Sequence, residues 1–64
     1  MIVNGKNVVL QAETSLEEYL SASGYNTGRI AVEKNGVVVP HGSFASETLR
    51  DSDTLEIVRF VGGG

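Results

Sequence analysis

The chain has 64 residues, no cysteine, one histidine, and five basic against eight acidic residues, for a net charge of −3. That length holds one domain. The missing thiol excludes disulfides and cysteine nucleophiles, one histidine offers no converging ligand set for a metal, and the acidic balance leaves no basic stripe for nucleic-acid phosphates.

In chain order, Asn4-Gly5 lies between short β-branched runs. This is the pattern of a tight type I′ hairpin, whose two central residues both need positive φ. It predicts strands over Met1–Asn4 and Asn7–Gln11. Thr14-Ser15-Leu16-Glu17-Glu18 then offers two overlapping capping boxes, Thr14 with Glu17 or Ser15 with Glu18. Leu16, Tyr19 and Leu20 fall on one helical face, and Gly24 stands where a left-handed residue ends a helix of roughly nine residues. Asn35-Gly36 predicts a second hairpin, Ile30–Lys34 with Val37–Val39, ended by Pro40, which has no N–H for the ladder. His41–Arg50 has no clean period and reads as a loop with a helical turn near Ser43–Leu49, anchored by Phe44 and Leu49. Asp51-Ser52-Asp53 forms a turn into a last strand, Thr54–Val61.

This order predicts an α+β domain over residues 1–61, a mixed four-stranded sheet packed on one helix, with a short helical turn before the last strand. Placing that strand parallel to the first, at the sheet centre, is the economical way to bury Leu55 and Ile57. The arrangement is the β-grasp, or ubiquitin-like, fold. Residues 62–64 form a flexible glycine tail. No apolar run is long enough to span a membrane, and the start lacks a charged-then-apolar signal segment, so a soluble, cytoplasmic protein is expected.

Glycine adds nothing to a core and carries the largest ordering entropy. Gly62-Gly63-Gly64 therefore reads either as bare backbone leading a useful terminal carboxylate or as a linker stub. In the last strand, Glu56, Val58 and Phe60 alternate away from Leu55 and Ile57. Val58 and Phe60, with Ile2 beside them and Val61 following, form a candidate partner-docking patch; the alternatives are scattered surface apolars or a bulge that turns Phe60 inward. Tyr19 reads as core and Tyr25 as a packing residue after the helix. Asp51 and Asp53 read as turn and capping residues rather than metal ligands. Arg50 and Arg59 are candidates for salt links to a partner. His41 has no carboxylate, serine or cysteine near it in sequence to make a catalytic constellation.

Taken together, these segments resemble the ThiS/MoaD family of ubiquitin-like sulfur carriers, most of all its thiamine-biosynthesis branch, ThiS. The resemblance spans the whole length. It rests on Val3-Asn4-Gly5, Thr14-Ser15-Leu16-Glu17-Glu18-Tyr19-Leu20, Ala31 through Pro40, Phe44, Leu49 through Ile57, and the terminal glycines. One departure is Ser52, where the family usually has glycine in Asp-Gly-Asp. The resemblance implies a non-enzymatic carrier whose Gly64 carboxylate is adenylated by an E1-like, ThiF-type enzyme. The carboxylate then becomes a thiocarboxylate and delivers sulfur to a ThiG-type thiazole synthase. It implies that the chain itself binds no cofactor, that the partner uses ATP and magnesium, that a separate enzyme donates the sulfur, and that the free carrier is a monomer with no nucleic-acid or membrane partner. Rival readings are a MoaD-like carrier for molybdopterin or other sulfur metabolites, a ubiquitin-like protein modifier, and a plain β-grasp binding module.

Overall fold

Both Asn-Gly pairs adopt the turn their chemistry favours: φ is 50° and 80° at Asn4 and Gly5, and 52° and 83° at Asn35 and Gly36. These turns organise a computed structural model that describes residues 1–60. The expectations for Val61, Gly62, Gly63 and Gly64 lie outside the described residues.

The main sheet contains β1 (Ile2–Val3), β2 (Lys6–Asn7), β4 (Ile30–Lys34), β5 (Val37–Val38) and β7 (Thr54–Arg59), in the order β2-β1-β7-β4-β5. It therefore has five strands where four were expected, because both arms of both hairpins join it. β7 lies at the centre, parallel to β1 with Ile2 opposite Thr54, and antiparallel to β4 from Lys34↔Leu55 to Ile30↔Arg59. The expected parallel pairing is present.

The first hairpin corrects the expected second strand. A two-residue turn forces pairing to begin at Lys6, opposite Val3, and β2 ends at Asn7 rather than covering Asn7–Gln11. Val8 still donates its N–H to the Met1 carbonyl at 2.8 Å before the chain departs.

The helix α1 runs over Leu16–Ala22, two residues shorter than expected. Ser15 is its cap: the Ser15 hydroxyl accepts from the Glu18 N–H at 3.1 Å and donates to Glu18 Oε1 at 3.1 Å. Thr14 lies one residue too far from the helix start at Leu16 to cap it; Thr14 and Ser15 form β3 (Thr14–Ser15), which pairs with β6 (Thr48–Leu49) in a second, two-stranded sheet. The N–H groups of Leu16 and Glu17 donate to the carbonyls of Glu47 and Phe44, so the first helical turn is satisfied from a distant loop. At the other end Gly24 has φ 84°, the Gly24 N–H donates to Ser21 and the Tyr25 N–H to Leu20. That pair of bonds is a Schellman closure, which allows an abrupt end.

The helical turn after Pro40 comes earlier than expected, as a 3₁₀ turn over His41–Ser43 rather than near Ser43–Leu49. Extended pairing of Thr48–Leu49 with β3 removes the later residues from any helix. The anchors are as expected, with Phe44 and Leu49 buried. Leu16 and Leu20 from α1 meet Ile30, Val32, Leu55 and Ile57 from the sheet in one core, and Tyr19 and Tyr25 pack at its margin half-buried.

Candidate docking face and tail root

Period-two alternation divides β7. Leu55 and Ile57 are buried, whereas Val58 is 58 % exposed and Phe60 57 % exposed. No bulge turns Phe60 inward: its N–H donates to the Arg29 carbonyl at 2.9 Å, continuing the β4 ladder one residue beyond Arg59. Ile2 is also exposed and shares the open face, but it lies opposite Thr54 rather than beside Val58. Glu56 stands between them on that face, and Ala31 is the residue opposite Val58. The apolar patch at the end of β7 is therefore Val58 and Phe60, with Ile2 set apart.

Arg59 points to the helix side, where its guanidinium lies 4.8 Å from the centre of the Tyr25 ring. Arg59 and Phe60 line a shallow cavity of about 270 Å³ with Gly24, Asn26, Arg29 and Ile30. Arg59 also borders a neighbouring cavity with Lys6 and Tyr25. The sequence reading overlooked Lys6 and Arg29, since no local pattern links either residue to Arg59.

At the opposite end of β7, polar residues hold the structure. Asp53 is buried; its carboxylate accepts from the Asn35 side chain at 2.9 Å and from the Arg50 N–H at 2.8 Å. Burial opposes its charge, but the Asn35 and Arg50 hydrogen bonds and the Lys34 and Arg50 charges outweigh that, leaving the carboxyl below its ordinary range. Lys34 Nζ is 4.0 Å from Asp53 and 2.7 Å from Glu47. Asp51 accepts from the Met1 amino group at 2.9 Å and from the Leu10 N–H at 3.0 Å, which holds its carboxyl low as well. Both aspartates act as structural acceptors, and no group of side chains suited to a metal occurs among the described residues.

His41 is also structural. Its Nε2 is 2.7 Å from the Ile30 carbonyl, which can only accept, so Nε2 carries the proton; the ring lies 4.9 Å from Phe44. Among residues other than glycine in the described part, positive φ occurs at Asn4 and Asn35, so Ser52 occupies ordinary backbone that needs no glycine. Among the described residues, no helix is long and apolar enough to cross a membrane.

One helix grasped by a mixed sheet with a parallel central pair, and an apolar end on the central strand, define a β-grasp protein of the ubiquitin-like kind. The chain belongs to the ThiS family, whose profile matches residues 1–64. It is similar to the sulfur carrier protein ThiS of Bacillus subtilis, 32% identical over 63 residues that cover 97% of this chain and 96% of that one. It is 38% identical over 64 residues to a thiazole synthase of Paramagnetospirillum magneticum, covering 100% of this chain and 20% of that protein. The chain thus spans about a fifth of the length of the thiazole synthases it matches. The crystal structure of a thiamine biosynthesis protein, ThiS, from Geobacter metallireducens superposes with a TM-score of 0.82 at 33% identity, over 98% of this chain and 96% of that one.

Proposed function

We propose that this protein carries sulfur for thiazole formation in thiamine biosynthesis, on the α-carboxylate of Gly64. A carboxylate is a poor acyl donor because its leaving group would be oxide. Attack on the α-phosphate of ATP, with magnesium, releases pyrophosphate and leaves an acyl adenylate whose leaving group is AMP. The terminal sulfur of a separate persulfide donor then displaces AMP to give an acyl disulfide. A thiol outside this chain cleaves its S–S bond, forming a disulfide and releasing the thiocarboxylate, which a ThiG-type synthase accepts.

The enzymes are an E1-like, ThiF-type adenylyltransferase and the synthase; this chain contributes the carried group and the docking face. With no cysteine of its own, the protein must receive its sulfur from outside. Four residues beyond Phe60 reach at most ~14 Å when extended. Gly62, Gly63 and Gly64 present no Cβ to a narrow channel, so the carboxylate enters a buried site while the domain stays outside.

The observation that carries this reading is the exposed pair Val58 and Phe60 on the central strand, immediately before the last four residues. An apolar grip on a rigid strand positions the tail without involving it. The test is intact-mass measurement after incubation with a ThiF-type enzyme, Mg-ATP and a sulfide source. The expected product is one species heavier by the difference between sulfur and oxygen. A ladder of lysine adducts on other proteins, with no sulfur gained, would refute the proposal in favour of a protein modifier.

A further inference from the structure

Unpaired positive charge gathers at the tail root of an otherwise acidic protein. Of the five basic side chains, Lys34 is paired with Glu47 and Arg50 with Glu13, at 2.7 and 3.3 Å. Lys6, Arg29 and Arg59 have no carboxylate within ion-pair distance among the described residues. All three line two adjoining cavities that share Arg59 as a common wall, and Phe60 borders the first of them.

The charge is polarised along the central strand. Asp51 and Asp53 immediately precede β7, whereas Arg59 ends it, with Ile30 as its cross-strand partner and Arg29 next to Ile30. Stacking on Tyr25 restrains Arg59 and leaves the edge of its guanidinium free to donate. A net charge of −3 works against approach to an acidic surface in every orientation except the one that leads with this end.

Resting on the sulfur-carrier reading, we infer that Arg29 and Arg59 form a receptor at the tail root for carboxylates on the rim of the adenylating enzyme's tail channel. Guanidinium groups suit carboxylates by their forked geometry. Nucleotide phosphate is the poorer fit: Gly64 is five positions beyond Arg59, a stretch that can span up to about 16 Å, so the adenylated carboxylate can react well away from the arginines. The basic end orients the encounter, the carboxylates fix the register, and Val58 and Phe60 provide the apolar contact.

The experiment measures the affinity of the full chain for a purified ThiF-type enzyme across a series of salt concentrations. Replacing both arginines (Arg29→Gln with Arg59→Gln) should weaken binding about tenfold at low salt and flatten its salt dependence, as loss of charged rim contacts does. Because Arg59 also packs on Tyr25, Arg29→Glu alone is the second variant; the Arg29 side chain makes no hydrogen bond or ion pair among the described residues, and this variant should also weaken binding. Wild-type affinity and salt slope in both variants would overturn the inference. So would saturable binding of ATP to the free chain that shifts the Arg59 Nε–H resonance, which would assign the site to phosphate. If the wild-type chain acquires sulfur while the variants bind as it does, the arginine receptor alone fails; if the wild-type chain neither binds nor acquires sulfur, the carrier reading falls with it.

Discussion

The side-chain amide of Asn4 grips the backbone of Ile57: its Oδ1 accepts from the Ile57 N–H at 2.7 Å and its Nδ2 donates to the Ile57 carbonyl at 3.2 Å. β1 ends at Val3, so β7 would otherwise lose its partner on that side just past Leu55. The amide stands in for the next strand residue. Asn35 does the same at the start of β7, where its Oδ1 accepts from the Thr54 N–H at 2.9 Å and its Nδ2 donates to Asp53. Each Asn-Gly turn therefore closes its own hairpin and clamps the central strand that leads to the docking patch.

Asn4→Ala should cost about 2–3 kcal/mol, from two lost hydrogen bonds plus alanine's penalty at positive φ. Asn4→Gly keeps the turn and loses only the bonds, so it should cost about half as much. Urea denaturation monitored by circular dichroism would separate the two terms, and equal losses would contradict the clamp.

Leu20→Ala empties a fully buried site between α1 and the sheet. Such truncations cost about 2–5 kcal/mol, against a total of roughly 3–10 kcal/mol at typical stability per residue for this length. The variant should be largely unfolded on mild heating, with collapsed amide dispersion in its NMR spectrum.

Acid should destabilise the protein partly through Asp53. Its folded carboxyl titrates lower than in the unfolded chain, so its contribution is complete above the unfolded pKa of about 4 and disappears as pH falls through the folded value. Asp53→Asn should lower stability at neutral pH by about 1–2 kcal/mol and show a shallower acid slope. A slope equal to wild type would assign the acid sensitivity elsewhere, with Asp51 as the next candidate.

Phe60→Asp and Val58→Asp replace exposed side chains and should leave the melting temperature within a few degrees of wild type. ThiF-dependent sulfur loading should fall at least tenfold. Full loading by a folded Phe60→Asp variant would remove the docking role from that residue.

Ser52→Gly restores the glycine usual in the family and should not stabilise the protein. Ser52 already lies in ordinary backbone, so the change only loosens the unfolded chain, at a cost of up to about 1 kcal/mol in thermal or urea unfolding.

The features legible in the sequence share one property: nearby residues decide them. Asn4-Gly5 and Asn35-Gly36 need positive φ and make turns in any context that permits a hairpin. Ser15 with Glu18, and Gly24 with its neighbours, start and stop a helix through bonds that span only a few residues. The alternation of Leu55 and Ile57 with Val58 and Phe60 sorts core from open face because successive strand side chains point to opposite sides. The other features depend on residues far apart in the chain. The Asn4 side chain and Ile57 are 53 positions apart. The pairing of Thr48–Leu49 with β3 moved the helical turn forward to His41–Ser43. Ile2 is separated from Val58 by Glu56 because the parallel register sets it opposite Thr54. The grouping of Lys6, Arg29 and Arg59 has no trace in local pattern, because three separate elements bring them together only when β7 takes its central place. The turns, the helix ends and the sidedness of the last strand are written in neighbouring residues, since they follow from backbone sterics and short-range hydrogen bonds. The register, the clamps on β7 and the charge at the tail root emerge only in the folded chain, because they require loop closure over tens of residues before any contact can form.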